Sequence, residues 1–396
     1  MSTTFCITTY ENRLCGCLLK DNRLFQLQFF SSETSLLGNI YIGKVKNILK
    51  NIDAAFVEIA GGQTCFLPLS EAENPVLTNR VYANKLVNGD EILVQVKKDA
   101  VKTKDPVLTA QLSFPGRYVC VNADGKKKVQ YSHKLKPQIK QQVYDVLADV
   151  SLPEHLSLVI RTEANDLEDF SVLKKEAKDL LIKAEQTFRI GRTRTVYSRL
   201  NDHEPSYLRM LRELGGNTPD KIMTDLPDVY TTLQLALKDS HPELLSGLVL
   251  YRDESLSLSG LYGLQARIEN ALSRQIWLKS GGYLVIEPTE ALIVIDVNSG
   301  KYTGKKTSSE TFYLINKEAA EEIAIQLSVR NLSGIILVDF INMDSKEQEE
   351  ELLAYFSELL KQDPVTTCLI DMTPLGLVEI TRKKVRMNLQ EQLSSR

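Results

Sequence analysis

GGYLVIEPTEALIVIDV (281–297) reads as two apolar strands joined by a turn at residues 287–290, and the second strand runs straight into a carboxylate, Asp296. Burying a charge at the end of such a run is costly unless something pairs with it. Beyond it come Asn298, Ser299 and Gly300, then the basic stretch KYTGKK (301–306). A helical pattern over 309–330 leads to a second apolar strand, IILVDFI (335–341), which delivers Asp339. A further helix is expected at 347–361, a strand near 366–371, and then a basic end. Strand–helix–strand order of this kind argues for a layered α/β domain.

Upstream, the pattern changes. The first 35 residues alternate apolar and polar, as short strands with a turn at Lys20-Asp21-Asn22 would. From Asn39 to about Val121, the segments IYIGKVKNI, AAFVEIA, QTCFLPL, EILVQVKK and PVLTAQLSF predict five short strands and a small barrel such as an OB-fold. A helix near 136–149, a strand at 156–161 and a helix over 166–190 follow. Residues 191–270 are the least readable part and suggest helices with short strands such as GLVLYRD.

At 396 residues the chain is too long for one simple core. Its 43% hydrophobic and 25% charged content is that of an ordinary soluble protein, and no apolar run is long enough for a membrane span. The amino terminus lacks the basic start and apolar core of a signal peptide, and the six cysteines are scattered without a C-x-x-C pair, so a reducing cytoplasm is the expected compartment. The net charge of −3 argues against a uniformly basic coat. Focused strips remain, at KKDAVKTK (97–104), KKK (126–128), KYTGKK (301–306) and RKKVR (382–386), and such strips can track a phosphate backbone.

Two aspartates on strands linked by one helical crossover would lie at the same end of a parallel sheet, where open α/β sheets bind ligands. Close carboxylates repel unless a proton or cation is shared. With no histidine or cysteine beside them, Mg²⁺ is the expected ion, with Mn²⁺ as the other candidate, and zinc is not expected. Asn298, two residues past Asp296, would face the same side and support it; the same residue also suits an Asn-Ser-Gly turn. Lys301, Lys305 and Lys306 stand where a phosphate would approach. In the barrel, Phe56 falls on the polar face of its strand beside Glu58, as base stacking requires. Tyr41, Lys44, Phe66, Lys97, Lys98 and Lys104 are candidates for the same surface. Arg161-Thr162, directly after LSLVI, makes a candidate terminal-phosphate clamp.

These motifs resemble the catalytic half of the bacterial ribonuclease E/G family, over nearly the whole chain and in family order. GNIYIGKVKNILKNIDAAFVEI and CFLPL resemble its S1-like RNA-binding barrel, and LVIRTEA its segment sensing the RNA 5′ end. WLKSGGYLVIEPTEALIVIDVNSGKYTGKK, NLSGIILVDFINM and MTPLGLVEITRKKVR resemble its metal-binding catalytic subdomain. The resemblance implies an α/β multidomain fold. It consists of an RNase H-like subdomain (1–35, resuming within 122–214 and over 215–274), an inserted S1-like OB-fold (36–121), a 5′-sensor region within 122–214, and a DNase I-like catalytic subdomain (275–396). By position it implies Asp296 and Asp339 as ligands of the catalytic Mg²⁺, with Asn298 supporting them. It further implies Arg161 and Thr162 as the grip on the 5′-monophosphate, and Phe56 and Phe66 as RNA-contacting aromatics. The implied activity is endonucleolytic hydrolysis of single-stranded RNA, in rRNA or tRNA processing or mRNA decay, leaving 5′-phosphate and 3′-hydroxyl ends. A non-cleaving RNA-binding regulator is the alternative. Two carboxylates do not themselves distinguish RNA from DNA.

The chain departs from the family at three places. DFINM carries Asn342 where a second aspartate is usual, and VQYSHKL (129–135) replaces a glycine-containing G-V/I-S-R segment near the sensor. No cysteine motif of the zinc-linking kind follows MTPLGLVEITRKKVR, so a homodimer, if formed, is expected without a zinc link.

Overall fold

The computed structural model of the protein describes residues 2–30, 36–100, 104–201, 204–214, 217–240, 242–300, 308–343 and 345–394. The chain forms two units, one of Met1–Ser32 with Asn217–Arg396, the other of Glu33–Gly216. The first unit opens with a meander of β1 (Thr3–Tyr10), β2 (Arg13–Lys20) and β3 (Arg23–Phe29). Its two-residue turns, Glu11-Asn12 and Asp21-Asn22, all have positive φ. That conformation matches the twist of a tight hairpin, and Asn and Asp tolerate it.

The second unit holds a closed barrel, consistent with an OB-fold. It is built from β4 (Ile40–Leu49), β5 (Ala54–Glu58), β6 (Thr64–Pro68), β7 (Glu91–Lys98) and β8 (Val107–Thr109), in the order β4-β5-β6-β8-β7. The run PVLTAQLSF does not stay in it. The Thr109 hydroxyl accepts the Gln111 N–H, the chain turns, and β9 (Ser113–Pro115) joins a separate sheet with β10 (Val119–Asn122), β11 (Lys128–Tyr131) and β12 (Ser157–Ile160). Helices α1 (Pro137–Leu147), α2 (Ser171–Gly191) and α3 (Ser206–Glu213) complete this unit. Leu173, Ala177, Leu181, Ala184 and Phe188 recur at the spacing of one helical face and bury α2 in the core shared with β10 and β12.

The first unit resumes with β13 (Lys221–Thr224), α4 (Pro227–Ser240), β14 (Leu248–Leu250), α5 (Leu258–Leu261) and α6 (Leu264–Leu272). Strands β13 and β14 extend the meander into a five-stranded sheet, β14-β13-β1-β2-β3, with β1, β13 and β14 mutually parallel. The remainder forms β15 (Gln275–Trp277), β16 (Tyr283–Pro288), β17 (Ile293–Asn298), α7 (Ser308–Val329), β18 (Gly334–Asp339), α8 (Lys346–Leu360), β19 (Thr367–Met372), β20 (Leu377–Arg382) and α9 (Leu389–Ser394). These strands make a six-stranded sheet in the order β15-β16-β17-β18-β20-β19. One face is dry: Ile293, Ile295, Val297, Ile336 and Val338 pack against Ile315, Ala319, Ile323 and Leu327 of α7, and Leu352, Phe356 and Leu360 of α8. The alternate residues Val294, Asp296 and Asn298 of β17, and Ile335, Leu337 and Asp339 of β18, belong to the uncovered face. No helix among the described residues is long and apolar enough to cross a membrane.

The basic end read from RKKVR needs correction. Arg382 is the last residue of β20, which inserts between β18 and β19, and its guanidinium is buried. It donates to both carboxylate oxygens of Asp363 and to Asn331 Oδ1 and the Leu332 carbonyl, while Asp363 is equally enclosed. Lys383 and Lys384 stay exposed, so the correction concerns Arg382, which in sequence only opens a run of cations. Removing one member of a buried pair strands the other. Asp363→Ala is therefore expected to lower the unfolding free energy by about 3–5 kcal/mol in denaturant titrations.

Candidate active site

Strands β17 and β18 pair in parallel with Asp296 and Asp339 as direct register partners. Side chains of register partners project from the same face, and neighbouring strands lie about 4.8 Å apart. Both carboxylates are solvent-exposed on the uncovered face. Asn298, two residues on, donates Nδ2–H to Asp296 Oδ2 at 2.7 Å, so the three residues form one cluster. Neither aspartate forms an ion pair with a cationic side chain among the described residues. Lys301, Lys305 and Lys306 lie outside the described residues.

The local chain is built for this placement. At Gly300 φ is +59°, and a Cβ there would sit 2.2 Å from the Gly281 carbonyl oxygen, so only glycine lets the chain leave β17 past Asn298. Beyond Asp339, Asn316 of α7 clamps the backbone. Its amide donates to the Ile341 carbonyl at 2.7 Å and its carbonyl accepts the Ile341 N–H at 3.0 Å, with Asn316 itself fully buried. The sequence reading missed Asn316. Its signal is an amide on the apolar side of a helix, next to Ile315 and one turn before Ala319 and Ala320.

Two adjacent carboxylates without a balancing cation fit a hard divalent ion that completes its shell with water or phosphate oxygens. No group of three or more His, Cys, Asp or Glu side chains among the described residues is arranged around a common metal position. The donors are carboxylate and amide oxygens, not the thiolates and imidazoles of a usual zinc site.

On the barrel, Phe56 and Phe66 are register partners on β5 and β6, with ring centroids 6.0 Å apart and an edge-to-face angle of 72°. Val107 and Lys98 continue the same row across β8 and β7, and Asn47 extends it on β4. Lys104 is exposed, and Lys44 is half-buried opposite Glu58. Lys97 pairs with Glu71. Tyr41 must be withdrawn from this surface: it is 4% exposed, packs inside the barrel with Val57 and Val94, and its hydroxyl meets the Asn39 amide. Strand β4 is covered on both faces, with Ile40 and Ile42 pointing to a second core, so alternation there does not separate inside from outside.

In the other sheet of that unit, the Arg161 guanidinium donates to the Gly116 carbonyl at 2.6 Å and lies 3.4 Å from Glu163. The Thr162 hydroxyl meets the Ser132 hydroxyl at 2.8 Å, so VQYSHKL lies directly beside the Arg-Thr pair. Behind them, Glu176 of α2 accepts the backbone N–H groups of Arg117, Tyr118 and Val119. Burial pushes its carboxyl up, against the three donors and Arg161. In the KKK strip, Lys127 and Lys128 pair with Glu154 and Asp124.

The model of the ribonuclease E/G family matches residues 113–385, which include the aspartate pair, Asn298 and the Arg-Thr segment. The chain belongs to the ribonuclease E/G family. It is 35% identical over 367 residues to ribonuclease E of Synechocystis sp. (strain ATCC 27184 / PCC 6803 / Kazusa), covering 91% of this chain and 54% of that protein. It is 31% identical over 368 residues to ribonuclease G of Salmonella typhimurium (strain SL1344), covering 90% and 75%, and 30% identical to ribonuclease G of Escherichia coli (strain K12) over the same shares. The chain thus spans about half the length of the ribonuclease E it matches and three quarters of each ribonuclease G.

The Asn316 clamp yields a stability test for this ribonuclease E/G member. Asn316→Ala leaves the partly buried N–H and C=O of Ile341 without their protein partner and is expected to cost about 1–3 kcal/mol in denaturant unfolding. The shift should be absent in Asn342→Ala, because Asn342 is exposed and makes no hydrogen bond among the described residues.

Proposed function

We propose that the protein is a metal-dependent endoribonuclease that cleaves single-stranded RNA, with Mg²⁺ held by Asp296 and Asp339. The observation that carries this reading is the register pairing of the two carboxylates on the uncovered face of the sheet, with Asn298 bonded to one of them. Bound there, Mg²⁺ would supply a Lewis acid for a phosphoryl oxygen and a water of lowered pKa. Asn298 fixes the Asp296 carboxylate through Oδ2 and leaves Oδ1 free as a donor to the ion. Gly300 and Asn316 hold the backbone that carries the pair. Family membership and the names of the relatives support RNA as the substrate, and hydrolysis would leave 5′-phosphate and 3′-hydroxyl ends.

We assign the remaining roles to the same chemistry. The row of Phe56, Phe66 and Lys98 would stack and guide unpaired bases, with Lys44 and Lys104 along the backbone path. Arg161 and Thr162 would receive a 5′-terminal phosphate. Lys305 and Lys306 are assigned to phosphate contacts by sequence alone. The five-stranded sheet would be the RNase H-like subdomain, interrupted by the S1-like barrel and sensor region, and residues 275–396 the DNase I-like subdomain. A cytoplasmic setting and Mg²⁺ over Mn²⁺ belong to the same proposal.

Cleavage of a 5′-monophosphorylated, A/U-rich single-stranded oligomer with Mg²⁺ tests it. Asp296→Asn and Asp339→Asn are each expected to lower kcat by at least about 100-fold, and chelation of the metal should do the same. Cleavage retained in either variant rules out the metal pair. Undiminished RNA affinity without metal-dependent products in the unaltered protein would instead identify a non-cleaving RNA-binding protein. Phe56→Ala and Phe66→Ala should each raise KM about 5- to 150-fold, because stacking contributes about 1–3 kcal/mol per base. A 5′-triphosphate should be cut more slowly than a 5′-monophosphate, and Arg161→Ala should remove that difference.

A further inference from the structure

The uncovered face of the six-stranded sheet carries a second feature, next to the aspartates. Register pairing sets Trp277 of β15 beside Tyr283 of β16, and Tyr283 beside Asn298 of β17. The next row is Gln275, Val285, Asp296, Asp339 and Leu377. Trp277 therefore shares the face of the carboxylate pair, two strands from Asn298, at roughly 10 Å by strand spacing. It is 66% exposed, an unusual position for the largest apolar side chain. Its ring lies 5.2 Å from that of Tyr283 at 57°, so the indole is braced on one edge. The Tyr283 hydroxyl makes no hydrogen bond among the described residues.

We propose that Trp277, braced by Tyr283, is a stacking platform for an unpaired base of the RNA substrate within one or two nucleotides of the scissile phosphate. The inference rests on the reading of Asp296 and Asp339 as the cleavage centre. An exposed indole offers a π-face that accepts any base, and Tyr283 limits the rotamer freedom that binding would otherwise remove. The platform is continuous with the row containing Asn298, so a strand whose phosphate reaches the aspartates passes over it. No cationic side chain belongs to this row among the described residues, and its aromatic and amide groups suit a base.

Trp277 is the single tryptophan of the chain, so its emission reports this position alone. In the Asp296→Asn protein, titration with a single-stranded RNA oligomer should quench the emission, with the midpoint seen by anisotropy of labelled RNA. Unchanged emission while anisotropy shows RNA bound overturns the proposal, and absence of RNA binding overturns both this and the functional reading. Emission that changes with protein concentration but not with RNA assigns the indole to contact with a second copy and likewise overturns it. In the otherwise unaltered enzyme, Trp277→Ala should raise KM about 5- to 150-fold with kcat within about twofold, and Trp277→Phe should recover most of the loss. An abasic site at the stacked position should then cost the unaltered enzyme but not Trp277→Ala. If Asp296→Asn still cleaves, the metal assignment fails, while the quenching result decides the platform separately.

Discussion

Parallel pairing of β17 with β18 in the register that sets Asp296 beside Asp339 is the constraint on which the rest of the site depends. Two like charges about 5 Å apart repel by roughly 1 kcal/mol in bulk water and about 3 kcal/mol at the effective dielectric of a protein surface. Local chemistry opposes this register, so the opposite face of the sheet must enforce it. There Ile293, Ile295 and Val297 interdigitate with Ile336, Val338 and helices α7 and α8. Slipping β18 by one residue would turn Ile336 and Val338, each worth about 1.5–3 kcal/mol when buried, to water, and although Ile335 and Leu337 would replace them, Asp339 would enter the dry face unpaired. Those terms together match or exceed the repulsion. The carboxylates stay together because the residues between them cannot move.

That division between faces explains how much the sequence revealed. Apolar runs ending in aspartate are visible because strand and site coincide in IVIDVN and GIILVD, and the helical crossover between them fixes the parallel sense. The barrel is legible from its short alternating segments. Features that depend on a distant partner are not. Arg382 reads as one cation in a basic string until Asp363 is placed against it. Asn316 reads as a polar interruption of α7 until the Ile341 backbone lies beneath it. Tyr41 fails for the complementary reason: alternation identifies the exposed side of a strand only where one side is exposed, and β4 has a core on each.

The candidate RNA-contacting elements share one device. Phe56 and Phe66 on the barrel, and Trp277 and Tyr283 on the six-stranded sheet, are cross-strand neighbours held at 6.0 and 5.2 Å by backbone pairing. A ring on a strand is oriented by the ladder rather than by a mobile loop, so little side-chain entropy remains to be lost when a base stacks on it. Neighbouring rings also contribute to sheet stability through cross-strand contact. Under the proposed function, truncating one ring would remove both a ligand contact and a packing contact, and only the substitution that keeps an aromatic separates them.

Arg161 follows the opposite logic. Its guanidinium is already engaged by the Gly116 carbonyl and faces Glu163, with the buried Glu176 carboxylate behind it. A phosphate arriving there gains a charge that neighbouring carboxylates have partly neutralised, whereas the aspartate pair has no cationic side chain beside it among the described residues. The two centres therefore differ in what an incoming group must displace. At Arg161 and Thr162 it would compete with existing hydrogen bonds, and Ser132, already bonded to Thr162, is one of the competitors. Between Asp296 and Asp339 a cation would relieve a repulsion that folding left in place. A cation at Asp296 and Asp339 would thus displace no existing ion pair, whereas a phosphate at Arg161 and Thr162 would have to displace hydrogen bonds already made.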